Sequence, residues 1–81
     1  MKDAWELPQY REHEVPLDLW TRHDVAKYVG RELRHTEQFI IPHLRVVAYL
    51  IGRGHPARLF VGSEVMANPE VVWRVAYNKL R

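Results

Sequence analysis

The chain predicts a mainly α-helical fold carrying one small β-hairpin, and three observations support this. Thr21 and Asp24 stand at capping-box spacing ahead of an apolar stripe. Asn68-Pro69-Glu70 joins a strong N-cap, a proline suited to the first helical position and an acid that complements the helix dipole. Between them, Gly62-Ser63 separates Leu59-Phe60-Val61 from Glu64-Val65-Met66, the spacing of a two-residue II′ turn. Together they describe three to four helices and a two-stranded hairpin.

Residues 1–18 read as an acidic, aromatic arm and residues 19–81 as the folded domain. Pro8 and Pro16 frame a stretch with no sustained helical stripe. Trp5, Leu7, Tyr10, Val15 and Leu17 are too apolar for a freely solvated tail, so part of the arm is expected on the core or against a second subunit. Trp5 and Tyr10 are the interface candidates.

The first helix starts after Thr21, with Trp20 and Val25 at the staple positions. Val25, Tyr28, Val29 and Leu33 form its apolar stripe. Gly30 either ends this helix, leaving residues 31–35 as a basic connector, or is passed on the way to Leu33. Thr36 could cap a second helix, but Pro42 lies too deep within it. The favoured solution is a short helix or extended piece over residues 37–41, then a helix over 43–51 with Pro42 in its first turn and Gly52-Arg53-Gly54 closing it. In the hairpin that follows, Phe60 faces Val65 and Leu59 faces Met66. A packed terminal helix begins at Pro69, and Trp20, Tyr28, Tyr49 and Trp73 are read as internal packing on helical stripes.

Eighty-one residues suffice for one modest core. Without cysteine there is neither a disulfide framework nor a thiolate metal site, and a cytoplasmic protein is the simplest expectation. No apolar run approaches the ~20 residues of a membrane span, so no membrane partner is expected. The five histidines form no i,i+4 pair, and nucleophile elbow, phosphate loop and paired-carboxylate patterns are missing. A non-enzymatic protein with no cofactor and no metal is expected. Charge is uneven: residues 1–20 hold two cations against five acids, whereas residues 21–81 hold ten against five. A basic body attracts polyanions.

Residues 19–30, residues 45–57 and the hairpin with Asn68-Pro69-Glu70-Val71-Val72 resemble small excisionase and MerR-like winged helix-turn-helix DNA-binding proteins. The resemblance implies a winged-helix-like fold whose second helix enters the major groove while the wing lies along the backbone or minor groove. It also implies proteins that bend DNA or recruit a recombinase or polymerase. This chain departs from the pattern by inserting residues 31–44 where a tight turn is usual, and by an apolar 46–51 segment that reads base edges poorly. Either residues 31–36 contact the groove instead, or the scaffold is reused for protein binding.

On the DNA reading, Arg45, Arg53, His55 and Arg58 cluster at the helix end and wing base, and Ser63 sits at the wing tip. Arg31 and Arg34, with Arg22 and Lys27 on preceding turns, form a second basic group. The expected function is a small duplex-DNA-binding protein, an excisionase-like recombination-directionality factor or transcriptional regulator of phage or mobile-element type by analogy. The alternative is a protein-interaction module acting through its aromatic arm and helical surface. A recombinase, a polymerase or a second copy stands among the partners either reading allows.

Overall fold

The computed structural model describes residues 6–80. Thr21 starts the first helix as its sequence requires: its Oγ1 accepts from the Asp24 N–H at 3.2 Å and Asp24 Oδ2 accepts from the Thr21 N–H at 2.9 Å. Helix α1 (Arg22–Val29) ends at Gly30, whose φ of 81° is the left-handed C-cap that glycine adopts without strain. Only Arg31 and Glu32 then intervene before α2 (Leu33–Phe39), so no long basic connector forms.

Thr36 caps nothing. It is fully buried inside α2, and its hydroxyl donates to the Glu32 carbonyl at 3.0 Å, which satisfies the one polar group it carries inward. Pro42 does sit in a first turn, but of a single 3-10 turn, Ile41–His43. The expected helix over residues 43–51 does not form. The chain is extended from Leu44 and becomes β3 (Ala48–Leu50). The flanking Val46, Val47 and Ile51 are β-branched and suit extended backbone, and pairing of β3 on both sides decides the matter.

That pairing builds a four-stranded mixed sheet in the order β1-β3-β4-β2. Strand β1 (Gln9–Tyr10) lies parallel to β3, with the Tyr49 N–H donating to the Pro8 carbonyl at 2.9 Å and the Ile51 N–H to that of Tyr10 at 2.8 Å. Strand β4 (Ala57–Val61) runs antiparallel to β3 on one side and to β2 (Leu19–Trp20) on the other. The hairpin is therefore β3–β4, closed by the 51–56 loop with Gly54 at φ 83°. It is not centred on Gly62-Ser63, and Phe60 pairs with Trp20 rather than with Val65.

Gly62 is a glycine for a different reason. It opens α3 (Gly62–Ala67), its N–H bonds the Asp18 carbonyl at 2.9 Å, and a Cβ there would stand 2.3 Å from Trp20 Nε1. Close approach of the indole demands a missing side chain. After Ala67, Asn68 caps α4 (Pro69–Lys79) as expected. Its Oδ1 accepts from the N–H groups of Glu70 at 3.0 Å and Val71 at 3.3 Å, while its Nδ2 donates to the His43 carbonyl at 3.0 Å.

Val25, Val29, Ile40, Ile41, Phe60, Val65 and Val71 form one buried cluster, with Trp20, Leu44, Val46 and Val75 packed against it. Phe60 serves this helix-covered face of β4, while its neighbour Leu59 is buried on the other face, cross-strand from Ala48. The described residues thus make four helices on a small mixed sheet, richer in strand than the two-stranded expectation. Of the aromatics read as internal, Trp20 packs on the core and against Tyr28 at 5.4 Å, but it and Tyr49 lie on strands, and Tyr28 and Trp73 are exposed.

Candidate nucleic-acid interface

The seven residues of α2 divide by face. Leu33 and His35 are half-buried and Thr36 is buried, whereas Arg34, Glu37, Gln38 and the apolar Phe39 are exposed. Arg34 and Gln38 are one turn apart and Glu37 lies beside them, so three polar side chains of different hydrogen-bonding character share one outward surface. Arg22 of α1 bonds Glu37 Oε1 at 2.8 Å. Exposed on both sides, this pair adds little stability, but it fixes the carboxylate relative to the two helices.

The inner side of α2 holds Arg31 in place. Its Nη2 lies 3.4 Å from His35 Nδ1, and the His35 ring packs on Phe39 with centroids 4.8 Å apart. His35 Nε2 is buried without a partner. Burial lowers the imidazole's pKa, the nearby charges of Arg31 and Arg74 lower it further, and Glu32 opposes them weakly. A neutral ring accepting from Arg31 is the state this geometry favours.

A cleft of about 220 Å³ joins α2 to the hairpin, lined by Arg22, Glu37, Ile41, Pro56, Ala57 and Arg58 among others. Arg58 is exposed on β4 opposite Tyr49 and so shares a surface with α2. Arg53 and His55 are exposed in the 51–56 loop. Arg53 also borders an open groove with Arg11 and Glu12 of the arm. Among the described residues, Arg34, Arg53 and Arg58 have no carboxylate within ion-pair distance.

Arg45 and Ser63 fall elsewhere than the sequence suggested. Arg45 follows the 3-10 turn instead of lying on a helix, and it lines a separate cleft with His43, Glu64 and Asn68. Its Nε donates to Glu64 Oε1 at 3.1 Å and its Nη2 to the other carboxylate oxygen. The hydrogen bond first and the charge of Glu64 second hold the guanidinium still more firmly protonated. Ser63 is in the first turn of α3, not at a hairpin tip. Tyr10 is half-buried in β1, and Trp5 lies outside the described residues.

The sequence reading therefore named Arg22, Arg31, Arg34, Arg53, His55 and Arg58, though mostly on other elements than the turn, helices and hairpin loop that carry them, and did not name Glu37 or Gln38 for the site. Their signal was present as polar residues at 34, 37 and 38 against Leu33, Thr36 and Ile40, but Thr36 was read as a cap. Among the described residues no three His, Asp or Glu side chains come together as metal ligands, and no helix is long and apolar enough to cross a membrane. Compared with protein-family models, curated proteins and solved structures, the chain matches none.

Proposed function

We propose that this chain is a non-enzymatic, winged-helix-like cytoplasmic protein that binds duplex DNA, with α2 in the major groove and the β3–β4 hairpin as its wing. The observation that carries this reading is the outward face of α2. Arg34 suits a guanine edge, Gln38 an adenine edge and Glu37 the amino group of cytosine, and the cleft beside them leads directly to Arg58. The order of elements supports it too: α1, the three-residue turn Gly30-Arg31-Glu32, α2, a 3-10 turn and the β3–β4 hairpin follow the helix, turn, helix, wing order of excisionase and MerR-like proteins, with the second helix at residues 33–39 and not in the 45–57 piece that carried the resemblance. The apolar 46–51 segment then needs no base-reading role, because it is a wing strand.

In this arrangement Arg53, His55 and Arg58 face phosphates, and Arg31 braces α2 through His35. Base discrimination falls to α2, and salt-dependent affinity falls to the hairpin. Recombination control and transcription control both fit a protein that acts by occupying and bending DNA.

The test is fluorescence anisotropy on random and selected duplexes at two salt concentrations. Arg53→Glu with Arg58→Glu should weaken binding to every duplex and flatten the salt dependence, the slope falling by roughly 0.9 for each phosphate that is no longer neutralised. Arg34→Ala should cost about 1–3 kcal/mol on a selected site and relax its sequence preference. Arg45→Ala, whose charge is taken up by Glu64, should change little. Absence of salt-dependent binding by the intact chain defeats the reading.

A further inference from the structure

Helix α4 turns Val71, Val75 and Asn78 inward and presents an uncharged outer arc, bordered by Glu70 and Arg74 on one edge and by the exposed Lys79 on the other. Pro69, Val72, Trp73, Ala76, Tyr77 and Leu80 are all exposed, with Val72, Trp73, Tyr77 and Leu80 at 52, 55, 49 and 86 %. At 100° per residue they fill one continuous arc of the helix. Trp73 and Tyr77 are stacked at 5.3 Å with their planes 15° apart, so the largest part of the face is already ordered before anything covers it. Arg74 borders it, bonded to Glu70 Oε1 at 3.0 Å and lying 5.4 Å over the Trp73 ring.

We propose that this face pairs two copies of the chain through antiparallel α4 helices related by a twofold axis at Ala76. The area fits. These side chains leave on the order of 500 Å² of mostly apolar surface per copy, so a self-pair that covered all of it would remove at most roughly 1,000 Å², the lower bound for a specific interface. The charges fit as well. Arg74 already offsets Glu70 within each copy, which leaves Lys79 as the uncompensated charge of α4, so an antiparallel pair keeps the two Lys79 side chains apart and opposes the helix dipoles. Parallel pairing would set like ends together. Ala76, the smallest residue of the arc, occupies the centre, where two helix axes must approach within about 8–10 Å. Val72 then meets Leu80 of the other copy. The pairing needs no DNA.

Sedimentation equilibrium from about 1 µM to about 1 mM should show the mass rising toward twice that of one chain. Trp73→Glu should keep the far-UV circular dichroism and weaken self-association by roughly a hundredfold or more. Ala76→Lys, at a small exposed position, should do the same without altering the aromatic stack. The natural chain has no cysteine, so Val72→Cys and Leu80→Cys give clean cross-linking partners. Their oxidised mixture should yield the mixed disulfide in excess over either homodimer. A monomer throughout the concentration range, including one that binds neutral lipid vesicles through this face, overturns the proposal. So does self-association unchanged by both charged variants. Homodimeric disulfides in excess overturn the antiparallel arrangement.

Discussion

The outer surfaces of α2 and α4 stand on the same core and are built in opposite ways. On α2 every outward residue apart from Phe39 is polar, and one of them, Glu37, is tied to a neighbouring helix. On α4 the outward arc is uncharged and aromatic. A polar face exposed to water costs nothing while it waits for an occasional ligand, whereas an apolar one of this size is stable mainly when something covers it. The contrast teaches that one small domain can separate a face suited to transient electrostatic contact from one suited to lasting contact.

The comparison breaks most completely if the shared core is removed. Phe60 is almost fully buried and lines both the cleft beside α2 and the cleft that holds Arg45 and Glu64. Phe60→Ala should cost about 3–5 kcal/mol in chemical denaturation, a large part of the stability of a domain this size, and both faces should fail together. A smaller loss is expected from Gly62→Ala. The new methyl meets the Trp20 indole, and displacing a ring packed on the core should cost about 1–3 kcal/mol. The same substitution in a Trp20→Leu background should be milder, and equal penalties in the two backgrounds would show that the indole is not the obstacle.

The smallest effect sharpens the comparison on the α2 side. Because the folded state holds the His35 pKa below its ordinary value of about 6.5, the unfolded chain takes up a proton there first as pH falls. The stability associated with the neutral ring is complete above that value and is lost progressively below it. Urea midpoints at pH 7.5 and 5.5 should therefore separate more in the natural chain than in His35→Gln, while Trp73 variants should keep the natural separation.

Local signals were legible in the sequence and distant ones were not. Thr21 with Asp24, Gly30, and Asn68 with Pro69 act within one turn of chain, so their residue types alone locate helix ends. Gly62 misled because its purpose is the ring of Trp20, forty-two positions away and invisible to a local reading. Residues 43–51 misled because a short apolar run has no distinguishing period, and its strand identity comes from β4 on one side and β1 on the other. Thr36 looked like a cap because nothing in the sequence shows that its hydroxyl is satisfied four residues back. The basic residues of the candidate interface could be named from the sequence. Their grouping could not, since it depends on the cleft that sets Arg58 beside α2.

Asn68 has a consequence for how the molecule ages. Its amide does three jobs, capping two N–H groups of α4 and holding the chain at His43. Spontaneous deamidation of asparagine proceeds through attack by the next residue's backbone nitrogen on the side-chain carbonyl. That nitrogen belongs to Pro69, which carries no hydrogen and cannot close the ring. The only other asparagine, Asn78, donates to the Val29 carbonyl at 2.7 Å and is followed by Lys79, which has such a hydrogen. Deamidation should thus fall on the tie between the far end of α4 and α1, leaving the cap that starts α4 intact.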